Sequence, residues 1–544
     1  ATADGTRYSI TGGANNDVID LGRGAFTVNG NGGTDTITVT NTSTATSSYV
    51  IIGGTQNTIT LGAALATVTG GTGNDSIVAG SGAATITGNG GQDTIVANSA
   101  AADTVTYILT GGEANDRFTL GQGHFTVNGN GGQDTFAVTN LSTANSTYVL
   151  TGGVSNTMDL AAGIYSITGG AGNDAISISG VGNDTIVLGT GTNTLKAVNG
   201  TADTSYIILA SGSGSGSDKD TINLGDGHGK IDLTFGGSVD SSTVDITAAK
   251  DATSNYVIVG GKSNTIKLGA GFYDVTGGTG DDIVTLGDSK KVTLNLGTGQ
   301  NKVTATANPT MTVYNISASG SAATDMDTIA VGNGTGKIDL SNGVASANIN
   351  TSLATNTSSA YTITGATANT MTLGAGTYSV TGGTGVDVIS FTGTGNATVN
   401  GNGGNDSITL GYGNYVVNTT TGDDTIQSNG IGNVTANMGG GSNYFGAVGG
   451  TSTTLYNITA GAGGADTINL GDGTGTINLI TGGAAANSTI NISAIDVSSA
   501  YTITGATANN MTLGAGKYSI IGGTGNDTIV TGVGDATIMG STGS

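Results

Sequence analysis

The chain has 544 residues, of which 100 are Gly, one is Pro and none is Cys or Trp, a composition that excludes collagen, a proline-rich disordered chain and disulfide or thiol chemistry. The formal net charge is −23, from 37 acidic and 14 basic residues. Nucleic acid is not an expected partner because there is no basic stripe, and no apolar run approaches the roughly 18 residues of a membrane span.

A short repeat begins at the start of the chain. Asp17 and Asp35 are separated by two nonapeptides, and the segment 21–28 between them keeps the glycine spacing but lacks an Asp. The same spacing separates Asp75 from Asp93, Asp116 from Asp134 and Asp406 from Asp424. The pattern therefore predicts coils of two turns and two short strands, with a carboxylate on only one edge. Such coils are stable only when they stack.

A stricter block, G-G-x-G-x-D followed by an inward aliphatic residue, first occurs at residues 70–75. It recurs at residues 169–174, 277–282, 382–387 and 522–527. The glycines are expected to allow positive φ at a tight bend. The Asp supplies a short carboxylate beside turn carbonyls, which are the hard oxygen ligands that calcium takes. Glu113 is the only glutamate, so the acidity reflects a need for short carboxylates in turns.

A longer period groups the coils into five units. Each unit begins near a first Tyr, and a second Tyr precedes the Asp of the strict block at a constant interval, as Tyr49 precedes Asp75. These second positions are Tyr49, Tyr148, Tyr256, Tyr361 and Tyr501. The predicted units are residues 1–106, 107–205, 206–313, 314–455 and 456–544. Unit four has two extra coils near residues 401–424, and unit five is incomplete.

Polar segments precede the second Tyr of every unit. They lie at residues 41–48, 140–147, 240–254, 346–359 and 488–499. Each is predicted to extend a strand or to project as a loop. The Ser-Gly alternation at residues 211–218 is predicted to be either a flexible joint or a loop.

The strict blocks resemble the calcium-binding nonapeptides of RTX (repeats-in-toxin) proteins, which form a parallel β-roll. Looser blocks at residues 30–35, 88–93, 129–134 and 401–406 follow the pattern with a shifted glycine. The resemblance implies that calcium is the cofactor, held between successive coils by Asp side chains and turn carbonyls. It assigns this role to Asp17, Asp35, Asp75, Asp93, Asp116, Asp134, Asp174, Asp282, Asp387, Asp406, Asp424 and Asp527. Asp184, Asp220, Asp327 and Asp466 match less closely.

The chain departs from the RTX pattern in two ways. The second half of most coils lacks Asp, which favours one row of ions over two. Asparagine also stands where an Asp is expected, and because it has no charge these positions should be weak or empty; they are Asn57, Asn156, Asn264, Asn369 and Asn509. For any one Asp, the alternative is an Asx-type turn that needs no ion.

Enzyme chemistry finds little support in the residues. His124 and His228 are the only histidines and sit in Gly-flanked positions expected to be turns. The pairs Asp281–Asp282 and Asp423–Asp424 suggest glycosidase carboxylates, but their place in the repeat favours a turn role. No serine-nucleophile, phosphate-loop or zinc-protease motif occurs. The recurring Tyr residues are expected to pack or cap strands, with sugar stacking as the alternative.

These patterns predict an all-β, elongated, right-handed parallel β-solenoid of the RTX-like β-roll type, with polar loop insertions. Tandem immunoglobulin-like sandwiches are the disfavoured alternative. The predicted function is that of a calcium-dependent, self-assembling structural protein of the bacterial cell surface, as a surface layer or extracellular scaffold. Its partners would be copies of itself and a cell-surface polysaccharide. One alternative is a segment of a type I secreted RTX adhesin or filament, and another is the non-catalytic RTX portion of a secreted enzyme.

Overall fold

A computed structural model describes residues 2–42, 47–98, 103–140, 145–212, 218–237, 239–305, 311–320, 324–480 and 487–540. Most of the Ser-Gly segment at residues 211–218 lies outside this part of the chain. So do the centres of the polar segments at residues 41–48 and 140–147. The described residues form β-strands and connecting turns without a helix, in two compact units, residues 1–274 and 275–544.

In the first unit, odd-numbered and even-numbered strands form two separate parallel sheets. The odd-numbered strands are β1 (Thr2–Thr11), β3 (Arg23–Asn29), β5 (Ser48–Ile52), β7 (Leu65–Thr69), β9 (Ala84–Asn89), β11 (Thr106–Gly112), β13 (His124–Asn130), β15 (Thr147–Thr151), β17 (Ile164–Thr168), β19 (Asn183–Val187), β21 (Ser205–Leu209), β23 (His228–Asp232) and β25 (Asn255–Val259). The even-numbered strands are β2 (Val18–Leu21), β4 (Thr34–Val39), β6 (Gln56–Thr60), β8 (Ser76–Val78), β10 (Thr94–Ala97), β12 (Arg117–Leu120), β14 (Thr135–Val138), β16 (Thr157–Leu160), β18 (Ala175–Ile178), β20 (Thr194–Ala197), β22 (Thr221–Leu224), β24 (Ser241–Ile246) and β26 (Ser263–Leu268). The chain continues through β27 (Gly271–Gly278).

The second unit repeats this arrangement. Its odd-numbered strands are β29 (Ser289–Gly297), β31 (Thr312–Ser319), β33 (Gly334–Asn342), β35 (Ala360–Thr364), β37 (Gly376–Thr381), β39 (Gly395–Gly403), β41 (Tyr415–Thr421), β43 (Val434–Asn437), β45 (Leu455–Thr459), β47 (Thr474–Asn478), β49 (Ala500–Thr504), β51 (Gly516–Ile521) and β53 (Gly534–Met539). Its even-numbered strands are β28 (Ile283–Leu286), β30 (Lys302–Ala305), β32 (Met326–Ala330), β34 (Ser346–Asn350), β36 (Ala368–Leu373), β38 (Asp387–Phe391), β40 (Ser407–Leu410), β42 (Thr425–Ser428), β44 (Tyr444–Ala447), β46 (Thr467–Leu470), β48 (Ser488–Ile492), β50 (Asn509–Leu513) and β52 (Thr528–Thr531).

The core of each unit lies between its two sheets. Side chains alternate between the inside and the outside with a period of two, as in β4, and β-branched residues fill the inward positions. Ile37, Ile59 and Ile77 are fully buried and lie opposite one another in three successive coils. The outward positions next to them are mostly Thr and Ser. The prediction of an all-β parallel β-solenoid is therefore confirmed.

Three of the polar segments contain a strand as well as a turn. Residues 240–254, 346–359 and 488–499 begin with β24, β34 and β48, and only their second halves connect to the next coil. These segments are therefore integral parts of the even-numbered sheet. The sequence left a strand and a loop as alternatives for each segment, because Ser, Thr and Asn are common both in turns and on outward strand positions here; these three segments contain both.

Candidate functional site

The twelve Asp residues predicted to bind calcium all lie on one edge of the coils. They occupy the turns that lead from an odd-numbered strand into the following even-numbered strand: Asp35 and Asp387 are within that strand, and the other ten directly precede it. Asp220, Asp327 and Asp466 share this edge, whereas Asp184 lies in β19, opposite Tyr206. The spacing of two nonapeptides therefore gathers the carboxylates on a common edge within each unit.

We call this set of side chains the Asp row. Asparagine takes the same position in some coils. The row consists of Asp17, Asp35, Asn57, Asp75, Asp93, Asp116, Asp134, Asn156, Asp174, Asn193, Asp220 and Asn264 in the first unit, and of Asp282, Asn301, Asp327, Asn369, Asp387, Asp406, Asp424, Asn443, Asp466, Asn509 and Asp527 in the second. Most of its members are buried, although they carry charged or polar groups.

A ladder of hydrogen bonds joins successive members of the row. The backbone N–H of one member donates to Oδ1 of the member in the next coil. The N···O distance is 3.0 Å from Asp17 to Asp35, 2.8 Å from Asp75 to Asp93 and 2.9 Å from Asp116 to Asp134. One oxygen of each of these buried carboxylates is therefore satisfied by the backbone of the preceding coil.

In the strict blocks the second carboxylate oxygen is also satisfied. Gly71 N donates to Asp75 Oδ2 at 2.5 Å, and Gly170 N donates to Asp174 Oδ2 at 2.8 Å. The donor is in each case the glycine four positions before the Asp, so the turn closes on its own carboxylate. This bond runs backwards along the chain and is therefore not the Asx-type turn considered above, although it also satisfies the carboxylate without an ion.

The Asn positions have a role that sequence reasoning missed. Asn57 Nδ2 donates to Asp75 Oδ1 at 2.7 Å, and Asn156 Nδ2 donates to Asp174 Oδ1 at 2.6 Å. Asn369 and Asn509 make the equivalent bond to Asp387 and Asp527; both distances are 2.6 Å. A carboxylate at these positions has no proton to donate. Asn at these positions is a hydrogen-bond donor to the carboxylate in the next coil. The sequence signal for this pairing was that each Asn lies one coil before the Asp of a strict block.

The looser blocks leave the second carboxylate oxygen without a partner. Asn31 and Asn130, four positions before Asp35 and Asp134, have positive φ of 71° and 69°. In this left-handed conformation Asn31 N donates to Asn29 Oδ1 at 3.0 Å and not to the carboxylate. The buried Oδ2 atoms without a hydrogen bond in the Asp row belong to Asp35, Asp93, Asp134, Asp220, Asp406, Asp424 and Asp466.

The glycines of the strict block are required for a different reason from the one predicted. Gly70, Gly71 and Gly73 do not have positive φ. A Cβ on Gly71 would lie 2.1 Å from the carbonyl oxygen of Gly54 in the preceding coil. Close stacking of coils, and not a left-handed bend, excludes a side chain there. The positive φ angles occur in the looser blocks, for example at Gly33 (94°).

Burial raises the pKa of Asp93, Asp134, Asp220 and Asp406, whose second oxygen has no partner. The pKa of Asp93 and of Asp406 rises to about 7, primarily through burial and further through the charges of neighbouring Asp residues. Burial also raises the pKa of Asp134 and of Asp220 to about 6. At Asp75 burial again raises the pKa, while hydrogen bonds from Gly71 and Asn57 oppose the rise. A proton or a cation would therefore stabilise these carboxyl groups in the folded chain.

Hard oxygen atoms lie beside Asp35, a carboxylate whose second oxygen has no partner. If a Cβ were present at position 54, Asp35 Oδ2, Asn31 O and Gly33 O would lie 2.7, 3.0 and 3.1 Å from it. Carboxylate and backbone carbonyl oxygens are calcium ligands. In the part of the chain that the structure describes, no three Asp, Glu or His side chains converge. A cation on this edge would therefore depend on backbone carbonyls.

A second polar row runs along the outside of the same edge. Asn16 Oδ1 accepts a hydrogen bond from Thr34 N at 2.8 Å, and Asp281 Oδ1 accepts one from Gln300 N at 2.8 Å. Asp423 does the same for Ser442 N at 2.7 Å. The first Asp of each acidic pair is thus an exposed acceptor that links coils. In the sequence, this outer row could have been found as the Asn or Asp that directly precedes the Asp of the motif.

The histidines and the second-position tyrosines are structural. His124 and His228 are the first residues of β13 and β23 rather than turn residues, and His124 Nδ1 lies 2.8 Å from Thr147 Oγ1. Tyr148 is buried, stacks on Phe125 and Tyr165 at centroid distances of 5.3 and 5.1 Å, and donates its hydroxyl proton to Gly121 O. Tyr49, Tyr256, Tyr361 and Tyr501 are equally buried. These rings are inaccessible to a sugar.

Asp184 is a buried carboxylate outside the Asp row. It takes an inward position in β19 opposite Tyr206, where neighbouring coils place aromatic rings. Oδ1 accepts a hydrogen bond from Tyr165 N at 3.1 Å, and Oδ2 has no partner. Burial raises its pKa to about 7.

The chain matches no protein-family model, and no significantly similar curated protein or solved structure was found. In the residues that the structure describes, there is no helix of the length and apolarity needed to cross a membrane.

Proposed function

We propose that this chain is a calcium-ordered structural protein of the extracellular bacterial cell surface, which assembles with copies of itself into a surface layer or scaffold. The parallel solenoid supports this proposal because each coil offers the same stacking geometry to the next. The described acidic and histidine side chains, moreover, take structural positions in turns and strands.

The observation that carries the calcium dependence is the set of buried carboxylate oxygens without partners. Buried charges are normally paired or bind metals. The ion pairs that the structure describes lie elsewhere, between Lys230 and Asp232, Lys262 and Asp240, Lys267 and Asp245, and Lys337 and Asp339. Successive carboxylates of the row also repel one another. A cation would offset both costs.

Calcium is expected to contribute a large total stabilisation through many weak sites. Extracellular-type sites have dissociation constants of roughly 0.1–1 mM. At millimolar calcium, each would add on the order of 1 kcal/mol to the free energy of unfolding. Several such sites together approach the stability of a typical domain. The protein would be fully stable outside the cell and less stable at cytosolic calcium concentrations.

Thermal unfolding followed by circular dichroism tests the calcium dependence. We expect the melting temperature of the purified chain to rise with millimolar calcium and to fall again on chelation. Magnesium should have less effect because it requires near-octahedral geometry and dehydrates reluctantly. A β-sheet signal and melting temperature that are indifferent to both calcium and chelator would contradict the proposal.

Electron microscopy separates the structural function from the alternatives. Ordered sheets or fibres that form on addition of calcium would support the surface-layer or scaffold function. Monomers that persist in calcium would favour a segment of an adhesin or filament. A catalytic domain encoded beside this chain would favour the non-catalytic portion of a secreted enzyme.

A further inference from the structure

The outer face of the odd-numbered sheet in the first unit, residues 1–274, carries no charge from β5 to β21. These nine strands, all within the described part of the chain, contain one Asp, Glu, Lys or Arg side chain, that of Asp184, which points inward. The even-numbered face of the same coils has exposed charges at Arg117, Asp159 and Lys196. In a chain with a net charge of −23, the odd-numbered face is therefore a distinct, uncharged surface.

A row of exposed apolar side chains runs along the centre of this face. Val50, Ile108, Val149 and Ile207 are 43–47% exposed. They occupy one register position, which Thr or Ser takes in the coils between them. Each directly follows a buried Tyr in the sequence, so the inward ring and the outward apolar residue recur together.

The second unit, residues 275–544, has polar residues at the corresponding positions. After the first and second Tyr of its repeats stand Asn315, Thr362, Asn457 and Thr502. The buried tyrosines are thus kept while the residue beside them changes, so the coil does not require an exposed Val or Ile there. Exposed apolar patches of several hundred Å² typically mark binding surfaces, and only the first unit has the apolar row at these positions.

The face is large enough for a stable contact between proteins. Nine strands ~4.8 Å apart and about 17 Å long cover about 700 Å². A standard protein interface buries about 800 Å² on each partner. The centre of such an interface is depleted of charge, as this face is.

The spacing of the apolar row suits contact with a second copy of the chain. The step is three coils from β5 to β11, two from β11 to β15 and three from β15 to β21. This order is the same from either end, and Thr126 of β13 lies at its centre, between Ile108 and Val149. A copy related by a two-fold axis at Thr126 would therefore set Val50 against Ile207 and Ile108 against Val149, and each pair would occur twice.

We propose that two copies of this chain dock through the odd-numbered faces of their first units, from β5 to β21, about a two-fold axis at Thr126. The inference rests on the proposed self-assembly and names the surface that carries it. Sheets packed face to face lie about 10 Å apart with interdigitating side chains. Because the copies repel one another through their net negative charge, a face that brings no carboxylates together is the favoured place of contact.

Sedimentation velocity of the full chain in millimolar calcium tests the docking face. The wild type should form dimers or larger assemblies, and the double variant Ile108→Lys, Val149→Lys should stay monomeric at the same concentration, because the two-fold contact would bring four lysines together. Both side chains are exposed, so the fold should be kept, which circular dichroism verifies. The matched control Thr362→Lys, Thr502→Lys adds the same charge at exposed positions of the second unit and should sediment as the wild type does.

A cysteine at the axis tests the two-fold geometry. The chain has no Cys, so Thr126→Cys introduces one thiol per copy, and the axis would place two such thiols across the ~10 Å between packed sheets. A short bismaleimide should therefore link two chains of Thr126→Cys. Linkage should be absent from the control Thr362→Cys and should disappear when Ile108→Lys and Val149→Lys are added to Thr126→Cys.

The possible failures are distinguishable. If the wild type and the double lysine variant assemble equally well in calcium, the docking face is overturned and the self-assembling function stands. If the wild type is monomeric and pellets with insoluble cell-surface polysaccharide, whereas the double lysine variant does not, the face binds polysaccharide and the second copy is overturned as its occupant. If the wild type is monomeric with and without calcium and pellets with no polysaccharide, this inference and the proposed self-assembly are both overturned.

Discussion

At the scale of single residues, the conformation of the residue four positions before the Asp of a strict or a looser block decides what the carboxylate does. A glycine with an ordinary φ, such as Gly71, points its N–H at the carboxylate of its own turn. An asparagine in the left-handed region, such as Asn31, donates its N–H to Asn29 Oδ1 and not to the carboxylate. Two motifs that differ by a shifted glycine therefore differ in whether the second carboxylate oxygen is hydrogen-bonded, and a cation would stabilise only the motif in which it is not.

Asn57→Asp tests the donor role of the Asn positions. The new carboxylate would face Asp75 Oδ1, which now accepts Asn57 Nδ2 at 2.7 Å. Replacing the donor with a charged acceptor removes one of the two hydrogen bonds to Asp75 Oδ1 and sets two buried carboxylates against each other, so we expect the free energy of unfolding to fall by about 1–3 kcal/mol without calcium. Chemical denaturation in chelator measures this loss.

Asn74→Asp is the matched control. Asn74 belongs to the exposed outer row, and its Oδ1 only accepts, from Gln92 N at 2.8 Å. A carboxylate preserves that acceptor, so this variant should change stability much less. Equal losses for the two variants would show that added charge, and not the lost donor, governs the effect.

The sequence predicts the positions of the Asp row correctly because the period of two nonapeptides is visible without a structure. It does not predict which carboxylates are saturated. That property depends on where the N–H groups of Gly71 and Asn31 point, and thus on backbone angles that the motif letters do not specify. The same limit concealed the role of Asn57 as a donor to Asp75.

At the scale of the coil, the Asp row couples proton binding to stacking. The folded state holds Asp93 and Asp406 with a pKa of about 7, against about 4 in an unfolded chain. Between these values the folded state binds more protons than the unfolded state, so stability must fall as pH rises. The carboxyls beside lysines, such as Asp232 and Asp339, have lowered pKa values and titrate below this window.

In calcium-free buffer, we therefore expect the melting temperature to decrease as pH rises from about 4 to about 7. Millimolar calcium should flatten this dependence, because an ion takes over the role of the proton. Differential scanning calorimetry across this range, with and without calcium, makes the measurement. A melting temperature that rises with pH in chelator would contradict the raised pKa values of the row.

The alternation of two strands per coil was predictable, since glycine-rich turns recur with every nonapeptide. The stacking of aromatic side chains in successive coils was only partly predictable. The period of the Tyr residues shows that they are structural, but stacking of Tyr148 between Phe125 and Tyr165 follows from register across coils. Asp184 could not be placed at all from its motif, because the motif fits either edge of a coil.

At the scale of the whole chain, the coil is the unit that can be removed. Asp406 and Asp424 take equivalent places in successive coils, where Asp406 N donates to Asp424 Oδ1. β40 and β42 pair in register, and β39 pairs in register with β41 from Ala397 to Asn400, before the register shifts at Asn402. Deletion of residues 406–423 joins Asn405 to Asp424 and preserves every inward position. We expect this variant to fold, with a modest loss of stability from one fewer stacking interface.

Deletion of residues 406–414 is the contrasting variant. This segment is half a coil, so the following strands would exchange sheets and Asp424 would move to the edge opposite the Asp row. The inward positions are kept, since Tyr415 and Val417 take the places of Asp406 and Ile408, but the hydrogen bonds of the row are lost. We therefore expect a larger fall in the melting temperature, followed by circular dichroism, than for the whole-coil deletion. A half-coil deletion as stable as the whole-coil deletion would contradict the two-strand coil.

The hydrogen bonds of the Asp row all run in one direction. Asp17, Asp75, Asp93 and Asp116 each give their backbone proton to the carboxylate of the coil that follows in the chain. A growing stack therefore has two chemically different ends. At the end facing the C terminus, the backbone N–H of the row has no carboxylate to donate to. At the end facing the N terminus, the carboxylate Oδ1 has no N–H donor. A stack that grows towards its N terminus therefore exposes more unpartnered oxygens to which calcium can bind. The effect of calcium on the folding rate should then depend on the end from which the chain begins to fold.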